Sequence, residues 1–161
     1  MKSGSIPAIT LWQPWAWLIA KGLKKFETRS WKTDYRGQIL IHSAVKRPGL
    51  AERGYWNWWM EHGMLGTDPP ELKSLPLGRI VAVADLAECC PTSGPNGWTP
   101  VEYSPEWQFG NWEPDRYGWK LRNVKALVKP VEATGLQRLW YPSGAIVMRV
   151  FNDLSRQGEA K

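Results

Sequence analysis

The chain has 161 residues, 21 Lys and Arg against 15 Asp and Glu, a net charge of +6, 43% hydrophobic residues and 12 tryptophans. That length and hydrophobic content fit one domain with its own core and exclude wholesale disorder. The only cysteines, Cys89 and Cys90, are adjacent, which excludes a disulfide framework and a four-ligand zinc site. No apolar run reaches the length of a membrane span and the N-terminus has no signal-peptide apolar core, so the expectation is a cytoplasmic protein without metal or cofactor.

In chain order, Met1 to Ser5 reads as a loose end. Gln13 to Gly22 reads as a helix, with Pro14 at its first position, an apolar face of Trp15, Leu18, Ile19 and Leu23, and Gly22 as its stop. Lys25 to Ser30 follows as a strand, with Phe26 and Thr28 on one face and Glu27 and Arg29 on the other. After a turn at Asp34 to Gly37, Gln38 to Ala44 reads as a second strand, Leu40 and His42 opposite Ile39 and Ile41. Leu50 to Gly63 reads as a helix bearing Trp56, Trp58 and Trp59, which packing explains better than ligand stacking, and His62 suits its end. A proline-bearing loop at Thr67 to Pro76 leads to a buried strand at Gly78 to Leu86, where Asp85 needs a partner such as Arg79. Cys90 to Asp115 reads as a long loop, a length usually functional or mobile. Its Trp98, Trp107 and Trp112 either fold onto the body or flank a binding site. Strands are expected again at Tyr117 to Val124 and Gly144 to Phe151, with an irregular stretch at Pro130 to Pro142 and a loose polar end from Ser155 to Lys161. Short strands with two helices, not alternating as βαβ units, indicate an α+β mixed barrel.

Charge is concentrated. Lys21 to Arg47 holds eight basic residues against Glu27 and Asp34, an excess equal to that of the whole chain. A local excess of this kind suits a polyanion, and indoles beside it suit stacked bases. Within it, the cations Lys24 and Arg29 beside the carboxylate of Glu27 form a site able to grip a phosphate and accept a base or sugar donor. A plain Glu–Arg pair on a surface strand fits the same spacing equally well.

The segments QPWAWLIAKGLKKFETRSW and YRGQILIHSAVKRP, with LPLGRIVAVADL and YGWKLRNV later, resemble the ASCH domain family, including its bacterial and phage members, from about Ile9 to Val150. The resemblance implies a PUA-like fold, a small mixed β-barrel flanked by helices, as one domain over residues 6–154 between flexible ends at 1–5 and 155–161. It implies binding of RNA, DNA, a nucleotide or a modified base in a cleft between helix and barrel. The cleft positions fall on Lys24, Glu27, Arg29 and Ser30, with Gln13, Trp15 and Trp31 close by and His42 and Lys46 at the same mouth. Some smaller ASCH-like proteins are similar in the lysine at Lys24 and remove the acetyl group from acetylated cytidine. Their nucleophilic threonine falls here on Glu27, with Thr28 one residue on. Their glutamate has only Glu102 and Glu106 as candidates, by location. The expectation is therefore a binding module. Hydrolysis of a modified nucleoside or of RNA through Lys24 and Glu27, and a protein-docking role for the tryptophan-rich loop, stand as alternatives.

Overall fold

The computed structural model describes residues 5–159, so the expectation of loose ends at 1–4 and 160–161 lies outside the described residues. Ten regular elements follow one another: β1 (Ala8–Leu11), α1 (Trp15–Ala20), β2 (Phe26–Arg29), β3 (Gly37–Ser43), α2 (Leu50–Glu61), β4 (Arg79–Pro91), α3 (Pro105–Gln108), β5 (Tyr117–Glu132), β6 (Leu139–Trp140) and α4 (Gly144–Glu159), with one 3₁₀ turn at Leu72–Ser74. The strands form one mixed sheet in the order β2-β5-β4-β3-β1-β6, where only β1 and β3 run parallel. The register of β4 on β5 shifts three times, between Ile80 and Ala82, Val83 and Asp85, and Leu86 and Glu88, and that of β3 on β4 once. Each bulge adds twist, so these long strands curl into a half-barrel. The α+β, PUA-like class expected from the sequence is the observed one.

Alternation along β3 sorts the core onto the two faces of the sheet. Ile39 and Ile41 join Ile9, Leu11, Ala16, Ile19, Trp119 and Leu121 beneath α1. Leu40 joins Ala8, Ile80, Val83, Trp140 and Val150 beneath α4. A third cluster welds α1 to α2 through Trp17, Leu18, Trp56, Trp59 and Phe109. Trp58, at the other side of α2, is 40% exposed and stacks on His62 at the helix end.

Three expectations are corrected. Gly144 to Phe151 is not a strand but the first half of α4, which runs on through most of the tail expected to be loose. Ile146, Val147, Val150, Phe151 and Leu154 lie on one helical stripe, and the sheet's second face supplies the apolar surface that stripe needs. Helix α1 is shorter than expected, with Pro14 ahead of it as the N-cap residue rather than in its first turn, and Gly22 ends it with φ +73. Asp85 does not use Arg79: its carboxylate accepts from the Asn123 side-chain amide at 2.8 Å, while Arg79 lies 3.9 Å from Glu132. Strands β4 and β5 also outrun their expected ends, to Pro91 and Glu132, and β1 and β6 were not anticipated.

Candidate nucleic-acid interface

A cleft of about 830 Å³ opens between the α1–α2 pair and the segment that carries α3, with β2 as its floor. One wall is Trp12, Trp15, Tyr55 and Trp59; the other is the chain from Trp107 to Glu113, with Arg116 beyond it. Tyr55 stacks on Trp59 with ring centres 5.9 Å apart, and Trp15 meets both edge-on, so these three rings form one packed aromatic unit.

The opposite wall is bolted to the floor strand by polar contacts. An edge strand leaves N–H groups unpaired. Here Glu106 takes two of them, accepting from the backbone of Lys25 at 2.8 Å and Phe26 at 2.9 Å. The Asn111 N–H donates to the Thr28 hydroxyl at 3.0 Å, and the Arg116 guanidinium donates to the carbonyls of Asn111 and Thr28. Trp112 folds back to donate to the Glu106 carbonyl at 3.3 Å and packs on Phe26 and Trp98. Gly110 is required beneath it, because a Cβ there would stand 2.5 Å from the indole nitrogen.

Lys24 closes the floor. Only 1% of it is exposed, and its ammonium donates to the Phe109 carbonyl at 2.8 Å, with Glu27 Oε2 at 3.7 Å. Burial pulls its pKa below the ordinary lysine value, and the carboxylates of Glu27 and Glu106 oppose that shift. Arg29 sits in charge contact with the other Glu27 oxygen at 3.0 Å and donates to the Thr10 carbonyl at 2.8 Å. Thus Lys24, Glu27 and Arg29 do stand together, but as a self-compensating row in which each cation already holds partners. Lys24 and Arg116 balance Glu27 and Glu113 among the lining side chains, so the cleft is aromatic and polar rather than basic.

The remaining positions separate. Trp15 lines the cleft, whereas Gln13 is fully buried beneath it, accepting from the Trp17 N–H at 3.0 Å and donating to the Pro76 carbonyl at 2.9 Å. Ser30 is exposed beyond the end of β2. Trp31 packs edge-on against Trp119 under the Arg138 guanidinium, away from the cleft lining. Lys46 is exposed, its ammonium 3.2 Å above the ring of Trp12, at the cleft wall. His42 belongs elsewhere. It is 1% exposed and borders a separate cavity of about 530 Å³ with Thr10, Ala133 and Gly135. Because the Trp140 indole can only donate, Thr10 Oγ1 accepts from it at 3.0 Å and donates its own O–H to His42 Nδ1 at 3.2 Å. The Nε2–H then donates to the Ala133 carbonyl at 2.9 Å, and burial lowers the His42 pKa. Sequence reasoning missed Trp12, Tyr55, Asn111, Glu113 and Arg116, and reached Glu106 only by location. A helix-start signal, Ser104 followed by Pro105, marks where Glu106 is presented.

Comparison with known proteins agrees with this architecture. A stretch of 82 residues, 50% of this chain, is 33% identical to activating signal cointegrator 1 of Mus musculus and 32% identical to that of Homo sapiens, and spans 14% of each relative. The crystal structure of ASCH from Zymomonas mobilis superposes with a TM-score of 0.51 over 92% of this chain and 94% of that one, at 12% identity. A variant of the same protein gives 0.52 over 92% and 97%, at 13% identity. Among the described residues no helix is long and apolar enough to cross a membrane. The family model for the ASCH domain matches residues 9–130, and the chain belongs to that family.

Proposed function

We propose that the protein binds nucleic acid by taking one base, standard or modified, into the cleft above Lys24 and Glu27. The observation that carries this reading is the aromatic wall of Trp12, Trp15, Tyr55 and Trp59 beside a floor of fixed donors and acceptors. Planar rings stack on such a wall at roughly 1–3 kcal/mol per base. The Glu27 carboxylate accepts from base N–H groups, and the Lys24 ammonium keeps a donor beyond those aimed at Phe109 and Glu27. The volume, about 830 Å³, is within the range of small-molecule sites. Quenching of tryptophan fluorescence by the four nucleosides, by acetylated cytidine and by short RNA and DNA strands tests the proposal. Saturable quenching is expected, weakened at least tenfold in Lys24→Met and Trp15→Ala. The absence of binding by every probe at low salt overturns it.

Hydrolysis of a modified nucleoside is the second reading, favoured by the lowered pKa of Lys24 next to Glu27, the setting in which a lysine can exchange a proton. Chromatography of acetylated cytidine after incubation separates it from binding, since turnover is expected to vanish in Lys24→Met. Docking of a protein on the tryptophan-rich segment has less support: Trp98 is 43% exposed, but Trp107 and Trp112 are half-buried, so the three indoles present no common patch.

A further inference from the structure

We infer that the cleft reads a base within a strand, through a phosphate and stacking subsite formed outside it by Lys46 and Trp12. The inference rests on the base-binding reading and adds where the backbone of the ligand runs. Inside the cleft every cation is engaged: Lys24 on Phe109 and Glu27, and Arg116 on Asn111 and Thr28. A phosphate brought to that floor would meet the carboxylates of Glu27 and Glu113. At the wall the situation reverses. Trp12 is 50% exposed while still lining the cleft, so its ring reaches from the pocket into solvent. The Lys46 ammonium rides on it at 3.2 Å, and among the described residues no carboxylate pairs with that lysine. Arg47, also exposed, follows directly.

A cation on an indole is held in place without being neutralised, because the ring offers a quadrupole and not a charge. It is therefore pre-positioned for an anion. The half of Trp12 left in solvent suits stacking with the base next to the one in the cleft. The ligand this layout selects is a single-stranded polynucleotide, with one base on the floor, its phosphate at Lys46 and a neighbour against Trp12. A free nucleoside fills only the first of these.

The experiment compares the four nucleosides with mixed-sequence eight-nucleotide RNA and DNA strands, across salt, in the wild type and in Lys46→Ala, Lys46→Glu, Trp12→Ala and Lys24→Met. Lys46 and Trp12 are exposed, so thermal melting is expected to be unchanged in their variants. A strand of one or both kinds is expected to bind at least tenfold more tightly than any nucleoside. Its salt slope should fall by about 0.7 in Lys46→Ala, the value for one single-strand phosphate contact. Lys46→Glu should weaken strand binding further, and Trp12→Ala by roughly 5- to 150-fold, while the Lys46 variants leave nucleoside affinity within about twofold. Strand affinity and salt slope unchanged in the Lys46 variants, with loss in Lys24→Met, would overturn this inference and leave the base site standing. No binding of strand or nucleoside by the wild type would remove both.

Discussion

At Gly135 the space left for a side chain is negative. A Cβ there would stand 2.5 Å from His42 Cε1 and 2.7 Å from Thr10 Oγ1. Gly135→Ala is therefore expected to cost about 1–3 kcal/mol, the usual penalty for overpacking, read as a lower urea midpoint. The same histidine sets a pH dependence. Its folded pKa lies below the ordinary 6.5, so between the two values the unfolded chain binds a proton the native chain refuses. Stability from this group is full above about pH 6.5 and falls as pH drops toward the folded value. Urea titrations at about pH 7 and about pH 5.5 should show a smaller difference in His42→Gln than in the wild type. Lys24 works on the alkaline side: with its pKa depressed, stability rises with pH as the ordinary value of 10.5 is approached from below, and Lys24→Met should flatten that rise. At this scale the sequence was half legible. The alternation that set His42 opposite Ile41 could be read, and so could the clustering of Lys24, Glu27 and Arg29. What each group is bonded to could not be read, since Ala133, Phe109 and Thr10 act through backbone carbonyls that carry no residue-type signature.

Elements whose burial is one-sided and local were the readable ones. Strand β2, strand β3 and helix α2 announce themselves by period and by bounding glycines and prolines. Helix α4 did not, because Ala145 to Val147 and Val150 to Phe151 form a β-branched, apolar run that short-range preference assigns to a strand. Its helical state is fixed by distant partners: Asp153 accepts from the N–H groups of Val128 at 2.9 Å and Lys129 at 3.1 Å, and Val150 is wholly buried. Asp153→Ala leaves both exposed donors at the β5 edge to water and should cost about 0.5–1.5 kcal/mol in denaturant unfolding. The α3 segment shows the same dependence on remote contacts. Composition marks it as a loop, yet Glu106, Asn111 and Arg116 fasten it to β2. Glu106→Ala is expected to cost a similar amount and to weaken base binding as well, because the Phe109 carbonyl that holds Lys24 belongs to the same segment.

Across the whole molecule, the +6 charge is arranged rather than merely accumulated. The basic run from Lys21 to Arg47 contributes two cations, Lys24 and Arg29, to an internal row that shares the Glu27 carboxylate, and leaves others, Lys46 and Arg47 among them, in solvent. Net charge and its clustering were visible from composition. Their division into spent and free cations depends on the curl of the sheet, which decides which strand face becomes a floor.

The position of Lys24 under the Phe109 carbonyl also makes it a clock. Acylating reagents require a solvent-accessible, unprotonated amine, so Lys25, Lys32 and Lys46 should be tagged early and Lys24 last of all. Mass spectrometric timing of that final tag would then count the moments at which residues 104–112 lift from the strand below.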